Sequence, residues 1–241
     1  MDNKVSEYFK VRSYEVDLGK RLKPYFIQTY LQEAGYAGSQ FCGAGYAALR
    51  ERNLAWVLNR IHVSVNELPL WDDEVRIDTW SRGKFGPLWI RNFRMFRGEE
   101  QILEATSSWT VLDLEHRTIF RGMPPFKEDT HCEEDTLPFC TKLVVPEGVE
   151  MRPAGIHDVL FSELDTNAHV NNCCYTEWAI DTLPFDYLAA RQLKDIEINF
   201  LAEVSHGMEV EFQLGREADD IWYVSGICEG LPRFLVRLEF R

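Results

Sequence analysis

The chain has 241 residues, which is enough for one large domain or two small ones. Its 39 acidic residues outnumber the 26 basic ones, and the net charge of -13 argues against a general nucleic-acid binder. Apolar residues form 45% of the chain and charged residues 27%, which fits a globular protein and excludes disordered and collagen-like chains.

The sequence contains no apolar run near the ~20 residues that a membrane-spanning helix needs, and its first residues lack the apolar segment of a signal peptide. Six cysteines are scattered through a chain too large to need a disulfide framework, so we expect reduced thiols and a cytoplasmic location. There is neither a C-x-x-C pair nor a zinc-ligand spacing, so we expect no metal and no other cofactor.

The first half begins with β-favouring residues at 8–17, followed by a helix over 24–35 that Gly35 and Gly38 are expected to interrupt. A second helical piece covers 45–52. Alternating apolar residues, clearest at Val75, Ile77 and Thr79, then predict strands. These strands cover 56–65, 74–80, 88–96 and 102–114.

The amino-acid composition changes between residues 116 and 153, where five prolines interrupt any regular element. Acidic residues add negative charge to this stretch, and charge runs of this kind usually remain solvated. We therefore interpret 121–153 as a solvated linker. Its acidic residues are Glu128, Asp129, Glu133, Glu134 and Asp135.

After this stretch the first pattern starts again, with a strand at 156–161, a polar octet at 165–172, and a helix at 171–182 that Pro184 stops. Four further strands are predicted at 196–202, 208–214, 222–228 and 234–240. A shift of 135 residues lays Glu74 and Ile77 on Glu209 and Phe212, which indicates an internal duplication. Each half is thus an α+β layer of a helix on about four antiparallel strands.

The octet that runs from Asp165 to Asn172 concentrates a carboxylate, amides and an imidazole in front of a helix. Unpaired N–H groups and the positive end of the helix dipole favour a developing negative charge there, which is the requirement of an oxyanion site. The same residue types also cap helices and form turns, and that alternative explains each of them when it is taken singly.

Five further segments follow one another in the order seen in a known family. With the octet they make the sequence resemble the acyl-acyl carrier protein thioesterases. That resemblance implies an α+β fold of two tandem hot-dog domains, each a helix packed on a curled antiparallel sheet. Residues 1–120 would bind the acyl chain, and 154–241 would carry the chemistry. The five segments are Val11-Arg12-Ser13-Tyr14-Glu15-Val16, Leu31-Gln32-Glu33, Trp56-Val57-Leu58-Asn59-Arg60-Ile61-His62, Trp71-Asp72-Asp73-Glu74-Val75-Arg76-Ile77-Asp78-Thr79-Trp80 and Ala105-Thr106-Ser107-Ser108-Trp109.

The resemblance also implies a catalytic set, which is Asp165, Asn167, His169 and Glu203. From the residues alone, Glu203 reads equally well as an exposed carboxylate at the end of the strand at 196–202. The family often has a cysteine directly after this glutamate, whereas this chain has Val204. Water is therefore the expected attacking group, unless Cys173 or Cys174 substitutes as the nucleophile.

In the expected mechanism Glu203, assisted by His169, takes a proton from water. Asn167 hydrogen-bonds the carbonyl oxygen, and backbone N–H groups near Val170 and Asn171 help to hold the oxyanion. Asp165 orients the imidazole or the amide. From the sequence, the roles of Asp165 and Glu203 can be exchanged.

The resemblance implies hydrolysis of fatty acyl-acyl carrier protein to a free fatty acid and the carrier protein, which ends chain elongation in fatty acid synthesis. The alternatives are an acyl-CoA thioesterase, a hot-dog hydratase, or a non-catalytic acyl-binding or regulatory module. A homodimer is also left open.

The first half lacks the octet and has Leu68 at the position that overlies Glu203, so we expect it to hold the acyl chain. Aromatic residues could line that pocket. Carrier proteins are acidic, so docking on this chain calls for a local basic patch. The aromatic candidates are Tyr25, Phe26, Tyr30, Trp56 and Trp89; the basic candidates are Arg91, Arg94, Arg97, Arg50, Arg52, Lys84 and Arg121.

Overall fold

A computed structural model describes residues 3–127, 130–138 and 140–241. The chain forms two compact units, the first made of Met1–Leu22 and Thr29–Cys140 and the second of Lys23–Gln28 and Thr141–Arg241. The division at residue 140 falls inside the predicted linker, 121–153. No helix in the described part of the chain is both long enough and apolar enough to cross a membrane.

The first unit is an antiparallel sheet with the strand order β1-β3-β4-β5-β2, and a short strand, β6, pairs with β5. The predicted strands and the short helix are present, although β1 ends well before the expected limit at residue 17. The elements are β1 (Val5–Lys10), α1 (Pro24–Phe41), α2 (Tyr46–Arg50), β2 (Leu54–Val65), β3 (Glu74–Phe85), β4 (Leu88–Arg97), β5 (Glu100–Asp113) and β6 (Thr118–Ile119).

The second unit is also an antiparallel sheet, with the order β7-β9-β10-β11-β8. This is the order of the first unit with each strand replaced by its counterpart, so the predicted α+β layers are confirmed. Helix α4 follows Pro184 and was not predicted. The elements are β7 (Arg152–Asp158), α3 (Cys174–Asp181), α4 (Phe185–Ala190), β8 (Leu193–Phe200), β9 (Glu209–Ala218), β10 (Ile221–Cys228) and β11 (Leu231–Phe240).

Corresponding side chains can also be matched between the two units, provided that one sequence offset is used before the helices and another after them. Tyr30 donates its hydroxyl to the Glu15 carboxylate at 2.5 Å, and Trp178 donates its indole N–H to the Glu163 carboxylate at 2.8 Å. Each residue of the second pair lies 148 positions after its counterpart. After the helices the offset is 135, as for the starts of β3 and β9. The longer helical segment of the first half accounts for the change, and the shift of 135 alone therefore detects only the later strands.

Helix α1 continues through both glycines that were expected to interrupt it. A Cβ atom on Gly38 would overlap the guanidinium of Arg91, whose side chain is buried, so this glycine allows a close approach. The helix ends at Phe41 and is followed by Gly43 in the left-handed region, with φ of 81°. The prediction of a break at Gly35 and Gly38 was therefore wrong.

Glu134 and Asp135, in the middle of the predicted linker, are bound to the first unit and are not part of a free tether. The indole N–H of Trp80 donates to the backbone carbonyl of Glu134 at 2.8 Å, and the Glu134 and Asp135 carboxylates form ion pairs with Arg94 and Arg82. These arginines and the indole lie on strands β3 and β4, where partly buried donors require acceptors. Composition does not reveal such partners. Two acidic residues of this stretch lie outside the described residues: Glu128 and Asp129.

The core of the second unit forms between helix α3 and strand β11. Phe234, Val236 and Leu238 are fully buried on one face of β11, as their alternation predicts. The Tyr175 ring of α3 packs edge-on against Phe234 at 4.9 Å between centroids. Gly226 on the neighbouring strand β10 leaves room for the Phe234 ring.

Substituting Gly226→Ala should destabilise the protein by about 1–3 kcal/mol, because the added methyl group would overlap the buried Phe234 ring. Gly35→Ala is the matched control. Its Cβ would meet Phe93 only at 3.6 Å, within a helix that favours alanine, so stability should stay equal or rise by up to about 1 kcal/mol. Urea denaturation of both variants checks this, and equal midpoints would contradict it.

Candidate active site

The side chain of Asp165 organises the turn that carries the predicted site. Its Oδ1 atom accepts the backbone N–H of Asn167 at 2.7 Å and that of His169 at 3.3 Å. Its own N–H donates to the carbonyl of His169 at 2.7 Å, and Ala168 has a positive φ of 62°. Asx side chains close such turns through these local bonds. Asp165 therefore fixes where Asn167 and His169 project.

The structure brings His169 and Glu203 together, with Nε2 3.3 Å from Oε2. Their side chains are 35% and 49% exposed, so the pair is reachable by solvent. Strand β8 ends at Phe200, which places Glu203 in the loop after the strand and not at the strand end as predicted. A carboxylate at this distance orients an imidazole and can share its proton.

Backbone contacts hold the loop that carries Glu203. The N–H of Val170 donates to the carbonyl of Val204 at 2.8 Å, and His169 forms a bridge with Ser205. Arg233 on β11 donates from Nη1 to the carbonyl of Glu203 at 3.4 Å. Val204 is completely buried and anchors the loop. The residue that replaces the family's cysteine thus has a packing role.

The two carboxylates of the predicted set have different contacts. The Asn167 side chain donates from Nδ2 to Oδ2 of Asp165 at 3.2 Å, so Asp165 bonds to the amide and to the turn backbone. The imidazole of His169 contacts Glu203. Asp165 was expected to orient either the His169 imidazole or the Asn167 amide, and the structure supports the role on the amide.

Two of the predicted oxyanion donors are already occupied. The N–H of Val170 bonds to the Val204 carbonyl, and the N–H of Asn171 bonds to the Glu163 carbonyl at 2.8 Å. Helix α3 starts only at Cys174, so these groups belong to the turn and not to the first turn of the helix. The expectation that they hold an oxyanion was wrong, because loop packing uses them.

Cys173 and Cys174 are buried, with 3% and 4% of their surface exposed. Burial, together with the neighbouring Cys173, Glu163 and Glu177, raises the pKa of the Cys174 thiol to about 12. A protonated, enclosed thiol is a poor nucleophile. Cys174 therefore does not offer the thiolate that a covalent mechanism needs, and burial keeps Cys173 away from solvent.

Glu163 contributes to the site in a way that the sequence did not indicate. Its carboxylate lies within hydrogen-bond distance of Nε2 of His157 on β7, at 2.8 Å. The same carboxylate accepts the indole N–H of Trp178 on α3, also at 2.8 Å. Its backbone carbonyl accepts the N–H of Asn171 at the end of the octet. One residue therefore links the strand, the turn and the helix.

The first unit contains the same turn without the side chains predicted to be catalytic. Oδ1 of Asp17 accepts the N–H of Gly19 at 2.8 Å and that of Arg21 at 2.9 Å, and Lys20 has a φ of 62°. The loop after β2 places Leu68 at the corresponding position. The first half thus retains the turn, which the offset of 148 would have identified. Gly19, Arg21 and Leu68 stand where the second unit has Asn167, His169 and Glu203.

Comparisons with known proteins agree on one family. The family model of the acyl-ACP thioesterase N-terminal domain matches residues 2–127, and that of the C-terminal domain matches residues 154–224. The oleoyl-acyl carrier protein thioesterase, chloroplastic, of Coriandrum sativum is 30% identical over 240 residues, which is 89% of this chain and 63% of the relative. Oleoyl-acyl carrier protein thioesterase 2, chloroplastic, of Arabidopsis thaliana is 29% identical, over 82% of this chain and 59% of the relative. The chain thus spans about three fifths of these relatives' length.

Two solved structures have the same fold. An acyl-ACP thioesterase from Bacteroides thetaiotaomicron aligns with a TM-score of 0.89 and 21% identity, over 100% of this chain and 98% of the other. The 12:0-ACP thioesterase from Umbellularia californica aligns with a TM-score of 0.82 and 20% identity, over the same shares. The predicted tandem hot-dog architecture is confirmed by these matches.

Iodoacetamide at pH 8 should modify neither Cys173 nor Cys174 in the folded protein. With a pKa of about 12, roughly 1 in 10,000 of the Cys174 thiols would be ionised, and burial blocks access. Cys132, which is partly exposed, should react first. Peptide mass mapping before and after unfolding checks this, and rapid labelling of Cys174 in the folded chain would reopen a thiol mechanism.

Proposed function

This chain belongs to the acyl-ACP thioesterase family, and we propose that it hydrolyses fatty acyl-acyl carrier protein to a free fatty acid and the carrier protein. Release of the chain in this form would end its elongation in fatty acid synthesis. The names of the relatives support the choice of donor, since those proteins are named as thioesterases of acyl carrier protein. The observation that carries the chemistry is the contact of 3.3 Å between His169 and Glu203.

In the proposed reaction Glu203 takes a proton from a water molecule, and the oxygen of that water attacks the thioester carbonyl carbon. His169, whose Nε2 lies 3.3 Å from the Glu203 carboxylate, orients that carboxylate toward the water. The tetrahedral intermediate then collapses, the C–S bond breaks, and the thiolate takes up the proton that the water lost. A thioester has a good leaving group, so this small set of groups is sufficient.

The negative oxygen of the intermediate needs a donor, and Asn167 is the predicted one. Its amide bonds to Asp165, which sits in the same turn and fixes the direction of the amide. Donors that are held in place before the reaction stabilise a developing oxyanion without reorganisation, and each contributes about 100-fold or more to turnover. Asp165 thus acts as a positioning residue for Asn167.

The first unit is proposed to hold the acyl chain. It retains the turn at Asp17 but has Leu68 where the base would stand, so it offers apolar surface without hydrolytic groups. Trp56 and Trp89, two of the predicted pocket residues, contact each other at 6.1 Å between ring centroids. Tyr30 stacks on Phe9 at 4.5 Å and bonds to Glu15, and Trp89 is buried in a hydrophobic cluster, so both also serve as core residues.

The competing activities predict different substrates. An acyl-CoA thioesterase prefers coenzyme A as donor, a hydratase acts on enoyl thioesters, and a binding module releases no thiol. Parallel assays with acyl-carrier protein, acyl-CoA and enoyl thioesters separate these cases. A cytoplasmic location and a homodimer stay predictions, which a fluorescent fusion and analytical ultracentrifugation would test; the six free cysteines fit any reducing compartment.

Substituting His169→Ala or Glu203→Gln should lower kcat by about 100-fold or more, since each removes a group that acts on the attacking water. The assay is thiol release from a panel of acyl thioesters that differ in chain length. Matched controls lie in the same segment: His206→Ala and Glu209→Gln remove the same chemical groups from exposed positions and should leave kcat within about twofold.

The double variant Cys173→Ala/Cys174→Ala should retain hydrolysis, because both thiols are buried and the raised pKa of Cys174 keeps that thiol protonated. Circular dichroism shows whether the variant is folded. A folded double variant without activity, combined with an acyl adduct on the wild-type thiol, would replace water by cysteine as the nucleophile.

A further inference from the structure

Aromatic residues form a cluster at one end of the first unit, near the β3–β4 hairpin. The Trp89 ring stacks on Phe126 at 4.4 Å, and Trp56 contacts both rings at about 6 Å. Leu49 of α2 and Leu54 at the start of β2 are buried in the same cluster. We call this region the aromatic end. The cluster comprises Leu49, Leu54, Trp56, Trp89, Trp109, Val111, Phe120 and Phe126.

Four basic residues surround the aromatic end. The Nζ atom of Lys84 lies 5.9 Å from the Trp89 ring centre. Arg52 follows α2, and the next residue, Asn53, accepts the N–H of Leu114 after β5 at 2.8 Å. Arg117 and Arg121 flank β6 and the Phe120 side chain that packs on the cluster. All four therefore project from segments tied to one small region.

These four side chains are exposed, and none of the ion pairs found among the described residues includes them. Among the residues that the structure describes, three acidic ones share this end, and Asp113 accepts the N–H groups of Glu115 and His116. The His116 contacts hold the pKa of Asp113 below its usual range. The acidic residues are Glu51, Asp113 and Glu115.

Three of the basic residues predicted from the sequence are not available for a partner. Arg91 is buried, Arg94 pairs with Glu134, and Arg97 pairs with Glu67 and Glu100. Arg52, Lys84 and Arg121 meet at the aromatic end, and Arg117, which the sequence did not single out, joins them. Arg50 is only partly exposed, and its guanidinium lies 5.1 Å from the centre of the Tyr46 ring. Three of the seven predicted basic residues therefore lie at one surface.

Apolar side chains are exposed between these cations. Ile119 is 51% exposed and Met123 65%, and both are close in sequence to Arg117 and Arg121. Docking surfaces combine apolar contact with flanking charge, where charge sets orientation and on-rate. Methionine adapts readily to a partner's surface.

The duplication provides an internal comparison. The hairpin β9–β10 of the second unit corresponds to β3–β4, and it turns through Asp219 and Asp220. Asp219 lies 135 residues after Lys84, so the two hairpins carry opposite charges at one position of the repeat. The basic character thus belongs to the first unit and does not follow from the repeated fold.

We propose that the aromatic end is the surface on which the acidic acyl carrier protein docks, with Arg52, Lys84, Arg117 and Arg121 facing its carboxylates and Ile119 and Met123 contacting its apolar groups. This inference rests on the proposed function, because that function supplies the acidic partner. The chain as a whole, with its net charge of -13, repels such a partner.

The double variant Arg52→Glu/Arg121→Glu should weaken binding of fluorescently labelled carrier protein, and lower kcat/KM for its acyl form, by about 10-fold or more at low salt. Both effects should shrink as salt is raised. Hydrolysis of the same acyl group on N-acetylcysteamine, a small uncharged donor, should be unchanged. Lys142→Glu/Arg152→Glu is the matched control, since it makes the same change in net charge at exposed positions of the second unit.

The two proposals fail in different ways. Suppose that the wild type hydrolyses N-acetylcysteamine thioesters and binds the carrier protein. If both double variants then bind the carrier protein as tightly as the wild type does, the docking surface is wrong and the hydrolase stands. If the wild type releases no thiol from any thioester, the hydrolase is wrong, and the binding measurement alone decides the surface. A wild type that does not bind the carrier protein overturns the docking surface.

Discussion

The candidate site depends on a backbone pairing whose central hydrogen bond runs from the N–H of Val170 to the carbonyl of Val204. His169 and Glu203 are the residues immediately before these two, so this pairing determines whether imidazole and carboxylate meet. A slip of one residue in such a pairing turns every side chain to the opposite face. The complete burial of Val204 makes that slip costly, because it would expose the valine and bury a charge. The burial of Val204 therefore determines that His169 and Glu203 face each other.

The first unit repeats this arrangement with other side chains. There Leu22 donates to the carbonyl of Pro69 at 2.8 Å, and the preceding residues are Arg21 and Leu68. Arg21 pairs with Asp17 within the turn at 2.8 Å, so its charge is used locally. The scaffold consequently exists without the groups that would hydrolyse a thioester. The turn is a property of the fold, and catalysis depends on which residues occupy it.

Features that depend on neighbouring residues could be predicted from the sequence, whereas features that depend on contacts between residues far apart in the chain could not. Alternation located strand β11, because Phe234, Val236 and Leu238 respond to one local condition, burial on one face. The contact of His169 with Glu203 spans 34 residues, and only the family resemblance suggested it. Gly38 was misread as a helix break because its reason is a buried arginine on a distant strand. The acidic linker was misread for the same reason: its partners, such as Arg94, lie on the sheet.

The negative charge of the chain and the acidity of the proposed partner are compatible with docking. Two acidic proteins repel one another in most orientations, and repulsion at wrong surfaces is itself a source of specificity. An approach toward Lys84 and Arg117 is the exception, whereas the second unit presents Asp219 and Asp220 at the corresponding hairpin. At physiological ionic strength the Debye length is about 8 Å, so only nearby charges are felt. The local basic surface can therefore attract a partner although the whole chain is acidic, and the surrounding negative charge restricts where that partner can settle.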